Sequence, residues 1–306
     1  MPTDRLKIAI EPKSFAAYEQ AVKDSGGVPC RLSSDVAALV WTDYSQPQAL
    51  EQMLRDNPQL EWVQLPFAGV DTFNQVLNQP VRFTSAKGSY REPVAEHALM
   101  LCLALGRDIP TRLTEKTWGK KFAKSLYDSE VLILGAGGIT AELINLLKPF
   151  RANITVVRNL PEPMAGSNVT VELDALPTHL ARADFVILAC ALTEKTRHLF
   201  DLAMLQNMKP EAYLVNIARG PVIVTADLLT ALESKVIAGA GIDVTDPEPL
   251  PDGHPLWNAP NLIITPHTAD TNEMVIRMFS ERLRLNTLAY LNRGKWIGVV
   301  SPDLGY

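Results

Sequence analysis

One short segment limits the fold of this chain more than any other: an apolar run that ends in a glycine-rich turn and then continues as an amphipathic stretch. The apolar run is Val131–Leu134, the turn reads GAGG at 135–138, and apolar residues at helical spacing fill 139–147. A strand, turn and helix in this order are typical of dinucleotide-binding domains, because glycines let the backbone approach a pyrophosphate at the helix N-terminus. By itself the pattern also fits a plain tight turn or a site for another nucleotide.

The same alternation of strand and helix extends along most of the chain. Strands are predicted at Leu6–Ile10, Val36–Trp41, Leu60–Leu65, Val131–Leu134, Ile154–Val157, Phe185–Ala189, Tyr213–Ile217, Ala238–Val244 and Leu262–Thr265. Helical stretches separate most of them, which predicts an α/β fold with two Rossmann-like, doubly wound parallel-sheet domains and a cleft between them. We place a discontinuous substrate domain at 1–91 and 274–306 and a dinucleotide-binding domain at 92–273, because the predicted tail helix at 274–291 is long enough to return to the first domain.

Charge and cysteine content exclude several classes of function. The 306 residues carry 29 basic and 34 acidic side chains, a formal charge of -5, so we expect neither nucleic acid nor an anionic membrane as a partner. The strongest apolar runs are about eight residues long, too short to span a bilayer. Cys30, Cys102 and Cys190 are odd in number, and two lie within those runs, which favours buried thiols over disulfides or metal ligands. We therefore expect a cytoplasmic protein with no metal site.

The residue at the end of the second strand after the glycine turn indicates which dinucleotide is preferred. An acidic residue at this place accepts hydrogen bonds from the ribose 2′-hydroxyl of NAD. Here the residue is Arg158, whose guanidinium can bind a 2′-phosphate instead. The sequence therefore predicts NADP(H) in preference to NAD(H); the alternative is an exposed arginine with mixed cofactor use.

Three further segments each follow a predicted strand and contain polar, reactive side chains. They read VNIARGP at 215–221, GIDVTDPEPL at 241–250 and ITPHTA at 264–269. With the glycine turn, these motifs resemble the D-isomer-specific 2-hydroxyacid dehydrogenase family in order and spacing. The resemblance is strongest from Val131 to Ala269, and weaker in PFAGVD at 66–71 and VAEH at 94–97.

The resemblance implies hydride transfer between a nicotinamide and the C2 carbon of a small 2-oxo or D-2-hydroxy acid, such as glyoxylate, hydroxypyruvate or pyruvate. The catalytic roles are then assigned to Arg219, Glu248 and His267. A histidine can supply the proton that the carbonyl oxygen gains, and a carboxylate beside it orients the ring and favours its charged form. An arginine can donate hydrogen bonds to the substrate carboxylate and carbonyl oxygen.

Other positions acquire roles by the same resemblance. Substrate-binding positions are Ala68, Gly69, Val70, Arg219 and His267. Cofactor-binding positions are Gly135, Ala136, Gly137, Gly138, Ile139, Arg158, Ala191, Thr196, Ala218 and Asp243. Two residues depart from the family pattern: Thr140 stands at the third glycine position, and Ala191 stands where proline is usual. The family is commonly dimeric, so we expect a homodimer.

Alternatives remain open at this point. Within the class, the chain could be an NAD-linked dehydrogenase of a D-2-hydroxy acid or phosphoglycerate. Outside it, the fold could serve as a non-catalytic nucleotide-sensing module, whereas a methyltransferase would leave the three later motifs unexplained. The other histidines are predicted on the long helix that begins near Glu92, in polar stretches or in a structural loop (His97, His179, His198 and His254). Additional candidates for substrate contacts are Trp41, Tyr90 and Arg91.

Overall fold

The computed structural model describes residues 6–159 and 162–301. The chain divides into two compact units. The first unit ends at Tyr90 and resumes at Thr271, so it is discontinuous; the second is Arg91–Asp270. Among the described residues, no helix combines the length and apolar character needed to cross a bilayer.

In the first unit, a parallel five-stranded sheet has the order β2-β1-β3-β4-β5. Its strands are β1 Lys7–Glu11, β2 Val28–Cys30, β3 Ala38–Trp41, β4 Trp62–Gln64 and β5 Arg82–Thr84. Its helices are α1 Ala16–Asp24, α2 Pro47–Asp56 and α9 Asn272–Tyr290. Helix α9 packs on α1, with the rings of Tyr18 and Phe279 meeting edge to face at 5.1 Å. The last helix therefore belongs to the unit formed by the N-terminal part of the chain.

The second unit contains a parallel seven-stranded sheet in the order β12-β11-β10-β9-β6-β7-β8. Its strands are β6 Glu130–Leu134, β7 Asn153–Arg158, β8 Val169–Glu172, β9 Phe185–Leu188, β10 Tyr213–Asn216, β11 Gly239–Ile242 and β12 Leu262–Ile264. Its helices are α3 Arg91–Gly106, α4 Ile109–Thr114, α5 Gly138–Leu147, α6 Leu176–Leu180, α7 Leu202–Leu205 and α8 Thr225–Glu233.

Alternating side chains of the central strands explain why helices cover both faces of this sheet. Leu132 and Leu134 of β6 pack into one apolar cluster with residues of α6, α7 and α8. Val131 and Ile133 pack into the other with residues of α3 and α5. A strand buried on both faces reads as a continuous apolar run, which is why β6 was recognisable in the sequence. The predicted doubly wound α/β class is confirmed.

Three short strands, β2, β5 and β8, were not predicted. All three lie at sheet edges, where one side of the strand has no neighbour and less apolar surface is buried. Strand β8 has no fully buried residue, and β2 contains Pro29. Their sequences therefore lack the apolar runs that mark the central strands.

The strand order of the second unit determines where a ligand can bind. From β6 the chain proceeds to β7 and β8 on one side, then crosses to β9, β10, β11 and β12 on the other. The connections after β6 and β9 therefore leave the same edge of the sheet in opposite directions, a topological switch point where ligands bind in such folds. The glycine turn at 135–138 and the loop that begins at Ala189 are those two connections.

Candidate active site

The glycine turn after β6 lies against the loop after β9, and this contact explains its first glycine. Gly135 has a φ of +111°. A Cβ added there would lie 2.7 Å from the carbonyl carbon of Ala189 and 2.9 Å from the Cα of Cys190. Both atoms belong to backbone that cannot rotate away. A glycine is therefore required for the fold at this position, independently of any ligand.

The second glycine of the turn has a different environment. A Cβ on Gly137 would meet no protein atom within 4 Å. Gly137 is the N-cap of the ten-residue helix α5 and has no side chain with which to cap its first N–H groups. The first N–H groups of a helix have no partners within it and carry partial positive charge. With Ala136 and Ile139 half-buried on either side, the open space fits a dinucleotide pyrophosphate.

The structure gives a physical reason for the threonine at the third glycine position. Thr140 is fully buried, and its hydroxyl donates a hydrogen bond of 2.9 Å to the carbonyl oxygen of Gly135. The threonine therefore fits inside the protein and adds a hydrogen bond across the turn that glycine could not make.

Arg158 is the last residue of β7, but its guanidinium already has an acidic neighbour. It donates to the carbonyl oxygen of Glu162 at 3.0 Å and lies 3.3 Å from the Glu162 carboxylate. About a quarter of the Arg158 side chain is exposed, against two thirds of Glu162. A ligand phosphate at Arg158 would therefore have to share or displace this exposed carboxylate.

The loop after β9 is shaped by a buried threonine. The Thr196 hydroxyl donates to the carbonyl oxygen of Ala191 at 2.7 Å and accepts from the backbone N–H of Thr193 at 2.8 Å. Ala191 itself is exposed. The Thr196 side chain thus holds the loop by bonding to the backbone of Ala191 and Thr193, and the Ala191 side chain forms part of the exposed surface of the loop.

Arg219 follows β10 in a turn that Asn216 stabilises. The Asn216 side chain is fully buried; its Oδ1 accepts from the N–H of Ala218 and its Nδ2 donates to the carbonyl oxygen of Arg219, both at 3.0 Å. At Gly220, a Cβ would lie 2.7 Å from the backbone nitrogen of Asp246 and would clash more severely with the carbonyl of Thr245. Glycine is needed here because the arginine turn packs directly on the segment that leads to Glu248.

His267 and Glu248 form the central pair of the site. The His267 Nδ1 and a Glu248 carboxylate oxygen are 2.7 Å apart, and the other carboxylate oxygen accepts from the N–H of Thr245 at 3.3 Å. His267 has a φ of 49° and its N–H donates to the carbonyl oxygen of Asp243 at 2.8 Å. Because Nδ1 faces the glutamate, Nε2 is the ring nitrogen that can exchange a proton with a ligand.

The electrostatics of this pair favour a protonated imidazole. The hydrogen bond to Glu248 raises the pKa of His267 above its ordinary value, against the opposing effect of partial burial. The same bond lowers the pKa of Glu248. The positive charge of Arg219 also acts on the pair and lowers both pKa values. The fold therefore places His267 and Glu248 in direct contact, and the charge of Arg219 acts on both.

Asp243 directly follows β11 and is 2% exposed. One of its carboxylate oxygens accepts from the Thr265 hydroxyl at 2.6 Å and from the N–H of Thr268 at 2.9 Å. The other accepts from the N–H of Ala269 at 3.2 Å. These donors satisfy the buried carboxylate and hold it in one orientation.

His97 makes a contact that its sequence context did not predict. As predicted, this residue lies on the long helix, α3, but its Nε2 is 2.9 Å from the Thr265 hydroxyl and 3.4 Å from the Asp243 carboxylate. The only signal in the sequence was the VAEH segment of the family resemblance. His254, in contrast, serves the loop structure as predicted, because its Nδ1 accepts from the N–H of Leu256.

The predicted substrate loop belongs to the first unit and follows β4. Ala68 and Gly69 are half-buried, whereas the Val70 side chain is packed in the core. A side chain holds the residue that begins this loop: the Tyr90 hydroxyl donates to the carbonyl oxygen of Pro66 at 2.7 Å. Trp41 is 1% exposed and part of the same core. Tyr90 and Trp41 therefore support the loop or the core, and Arg91 is exposed at the start of α3.

Comparison with known proteins decides the family. The sequence model for "D-isomer specific 2-hydroxyacid dehydrogenase, NAD binding domain" matches residues 98–269, all within the second unit. The chain belongs to the D-isomer-specific 2-hydroxyacid dehydrogenase family. It is therefore an oxidoreductase that uses a nicotinamide dinucleotide, and the methyltransferase alternative is discarded.

Individual relatives of this dehydrogenase cover most of its length. The human protein named glyoxylate reductase/hydroxypyruvate reductase is 30% identical over 292 residues, 92% of this chain and 85% of the relative. An uncharacterised Corynebacterium melassecola protein is 41% identical over 245 residues, 77% of this chain and 80% of the relative. The crystal structure of a family member from Xanthobacter autotrophicus Py2 in complex with NADPH and MES superposes with a TM-score of 0.86. It shares 25% identity and covers 98% of this chain and 99% of that one.

Proposed function

We propose that this dehydrogenase reduces the C2 carbonyl of a small 2-oxo acid, with His267 as the proton donor. The observation that carries the proposal is the 2.7 Å contact between His267 and Glu248. The contact with Glu248 raises the pKa of His267 and so favours the charged imidazole, which suits a proton donor in the reductive direction. Glyoxylate and hydroxypyruvate are the first candidate substrates, since the human relative carries both names.

Each side chain has a separate task in the proposed reaction. A nicotinamide held by the second unit would supply the hydride for C2. His267 donates the Nε2 proton to the C2 oxygen, while Glu248 holds the ring by Nδ1 and stabilises its positive charge. Arg219 donates hydrogen bonds to the substrate carboxylate and C2 oxygen, polarising the carbonyl. The backbone of Ala68 and Gly69 is proposed to bind the carboxylate.

Binding of the dinucleotide is assigned to the second unit. The N–H groups at the start of α5 would receive the pyrophosphate above Gly137, where no protein atom would contact a Cβ. The loop at Ala191, shaped by Thr196, and the buried Ala218 would border the cofactor. Asp243 would accept a hydrogen bond from the nicotinamide carboxamide.

The test is a side-by-side measurement of NADPH and NADH oxidation with glyoxylate, hydroxypyruvate, pyruvate and a bulky aromatic 2-oxo acid. We expect turnover with at least one of the small acids and less with the aromatic one. Nucleotide binding without turnover on any of them would refute the proposed reaction and support the nucleotide-sensing alternative. Faster oxidation of a D-2-hydroxy acid with NAD would favour an NAD-linked dehydrogenase.

We propose a preference for NADPH, based on Arg158 at the end of β7. A guanidinium binds a 2′-phosphate with paired donors, whereas it cannot accept hydrogen bonds from a 2′-hydroxyl. Arg158→Asp should therefore lower the ratio of kcat/KM for NADPH to that for NADH. Glu162→Gln should raise it, because it removes the negative charge that lies 3.3 Å from the guanidinium. An unchanged ratio in both variants would assign cofactor choice to other residues.

We also propose that the enzyme is a homodimer. The second unit exposes large apolar side chains close together in sequence after α3: Leu113 is 76% exposed, Trp118 94% and Phe122 55%. Exposed apolar groups of this size are typical of association surfaces. Sedimentation velocity should give the mass of a dimer, and Trp118→Ser with Phe122→Ser should give a monomer. A monomeric parent protein would contradict the proposal.

A further inference from the structure

A chain of hydrogen bonds connects helix α3 to the buried carboxylate of Asp243. His97 Nε2 lies 2.9 Å from the Thr265 hydroxyl oxygen, which lies 2.6 Å from a carboxylate oxygen of Asp243. The His97 and Asp243 side chains are 12% and 2% exposed. This contact brings together residues 168 positions apart in the sequence, and neither His97 nor Thr265 has a task in the reaction proposed above.

The direction of these bonds follows from the chemistry of the three groups. A threonine hydroxyl has one hydrogen, and an ionised carboxylate can only accept. The Thr265 hydrogen is therefore directed to Asp243, so the hydroxyl oxygen must accept a hydrogen from His97. His97 consequently carries its proton on Nε2. The 3.4 Å separation of Nε2 from the same carboxylate oxygen adds a weaker electrostatic attraction.

These bonds leave one part of the Asp243 carboxylate available. The oxygen nearest His97 already accepts from the Thr265 hydroxyl and the N–H of Thr268. The other oxygen accepts only the N–H of Ala269 among the bonds of the described residues, at 3.2 Å. A carboxylate oxygen can accept about two hydrogen bonds. The second oxygen therefore retains capacity for an amide N–H of a ligand.

We propose that His97 is a positioning residue for the nicotinamide ring: through Thr265 it fixes the orientation in which Asp243 presents this second oxygen to the carboxamide. The inference rests on the proposed cofactor role of Asp243. Since His97 acts at the nicotinamide end alone, its removal weakens the binding of a complete dinucleotide and leaves the adenosine and pyrophosphate contacts unchanged. It also loosens the segment from Thr265 to Ala269, on which His267 is carried.

The experiment compares two ligands that differ only in the nicotinamide ring. The dissociation constants of NADPH and of 2′-phospho-ADP-ribose are measured by calorimetry on the full-length enzyme and its variants. His97→Phe keeps an aromatic ring and removes the donor. We expect about tenfold weaker NADPH binding, of the order of losing the carboxamide's hydrogen bond to the Asp243 carboxylate. Binding of 2′-phospho-ADP-ribose should be unchanged. His97→Gln, whose amide nitrogen can donate from a similar distance, should restore most of the NADPH affinity.

Control variants separate the possible reasons for failure. His179→Phe makes the same change on α6, and His179 has no contact with Asp243 among the hydrogen bonds described; it should change neither constant. Thr265→Val breaks the same chain with little change in volume, and provides the test if His97→Phe does not fold. Equal weakening of both ligands by His97→Phe, or no weakening of either, would overturn the inference.

Asp243→Ala distinguishes this inference from the proposed function. If Asp243→Ala weakens NADPH selectively and His97→Phe does not, the inference about His97 fails while the role of Asp243 stands. If Asp243→Ala is not selective, the cofactor role of Asp243 fails and the inference falls with it.

Discussion

Gly220→Ala tests whether close packing of two loops positions the catalytic side chains. The added Cβ would lie 2.7 Å from the backbone nitrogen of Asp246, against an ordinary contact at 3.4 Å or more, and it would clash more severely with the carbonyl of Thr245. Both atoms are backbone, so relief requires the segment leading to Glu248 to move away from the Arg219 turn by on the order of 1 Å. Misplacement of this size can reduce rates by about 100-fold.

The same displacement should reduce stability. Overpacking in a well-packed interior costs about 2 kcal/mol, which for a unit of this size lowers Tm by roughly 4–8 °C. The matched control is Gly137→Ala, the same substitution where no protein atom lies within 4 Å of the new Cβ. Its Tm should stay near that of the parent, whereas its KM for the dinucleotide should rise because the methyl group occupies the pyrophosphate space.

The assay combines thermal unfolding, followed by circular dichroism, with steady-state kinetics on glyoxylate or whichever 2-oxo acid is turned over. Kinetics are measured well below the lower Tm, so that loss of activity reports displacement and not unfolding. A Gly220→Ala enzyme with parental Tm and parental kcat/KM would refute the reasoning, because the two loops would then not be in the contact described.

Three further predictions concern neighbouring residues. His267→Ala should reduce kcat severely while the affinity for the dinucleotide changes little, as measured by turnover and fluorescence titration; near-parental kcat would remove His267 from the mechanism. In Glu248→Gln the pKa of His267 loses its main cause of elevation, so the reductive rate, which needs protonated His267, should decline at lower pH than in the parent. A pH–rate profile with an unchanged midpoint would contradict this. Thr140→Val removes the hydrogen bond to the Gly135 carbonyl oxygen. It should lower the free energy of unfolding, measured with denaturant, by about 1 kcal/mol. An unchanged unfolding midpoint would show that this bond does not stabilise the turn.

The central part of the fold could be predicted because its signals are local. Strands such as β6 and β10 are buried on both faces and therefore read as unbroken apolar runs. Edge strands such as β8 are half-exposed and carry no comparable pattern. Sequence analysis therefore recovered the doubly wound class but not the full number of strands.

The same distinction between local and long-range signals applies to the candidate site. By itself, the sequence determined which side chains are available: the arginine, glutamate and histidine of three motifs, and the glycines of the phosphate turn. Each follows the carboxyl end of a predicted strand, and the carboxyl ends of parallel strands lie along the same side of a sheet.

Only the tertiary structure decided which partners these groups have. It placed Glu162 against Arg158, Thr245 against Gly220, and His97 of α3 against the Thr265 hydroxyl. Hydrogen bonds and close contacts between separate elements depend on how helices and loops pack over distances of many residues. Periodicity and motif spacing indicate only the face of its own helix or strand on which a residue lies. Contacts between separate elements depend on packing, so the sequence alone does not predict them.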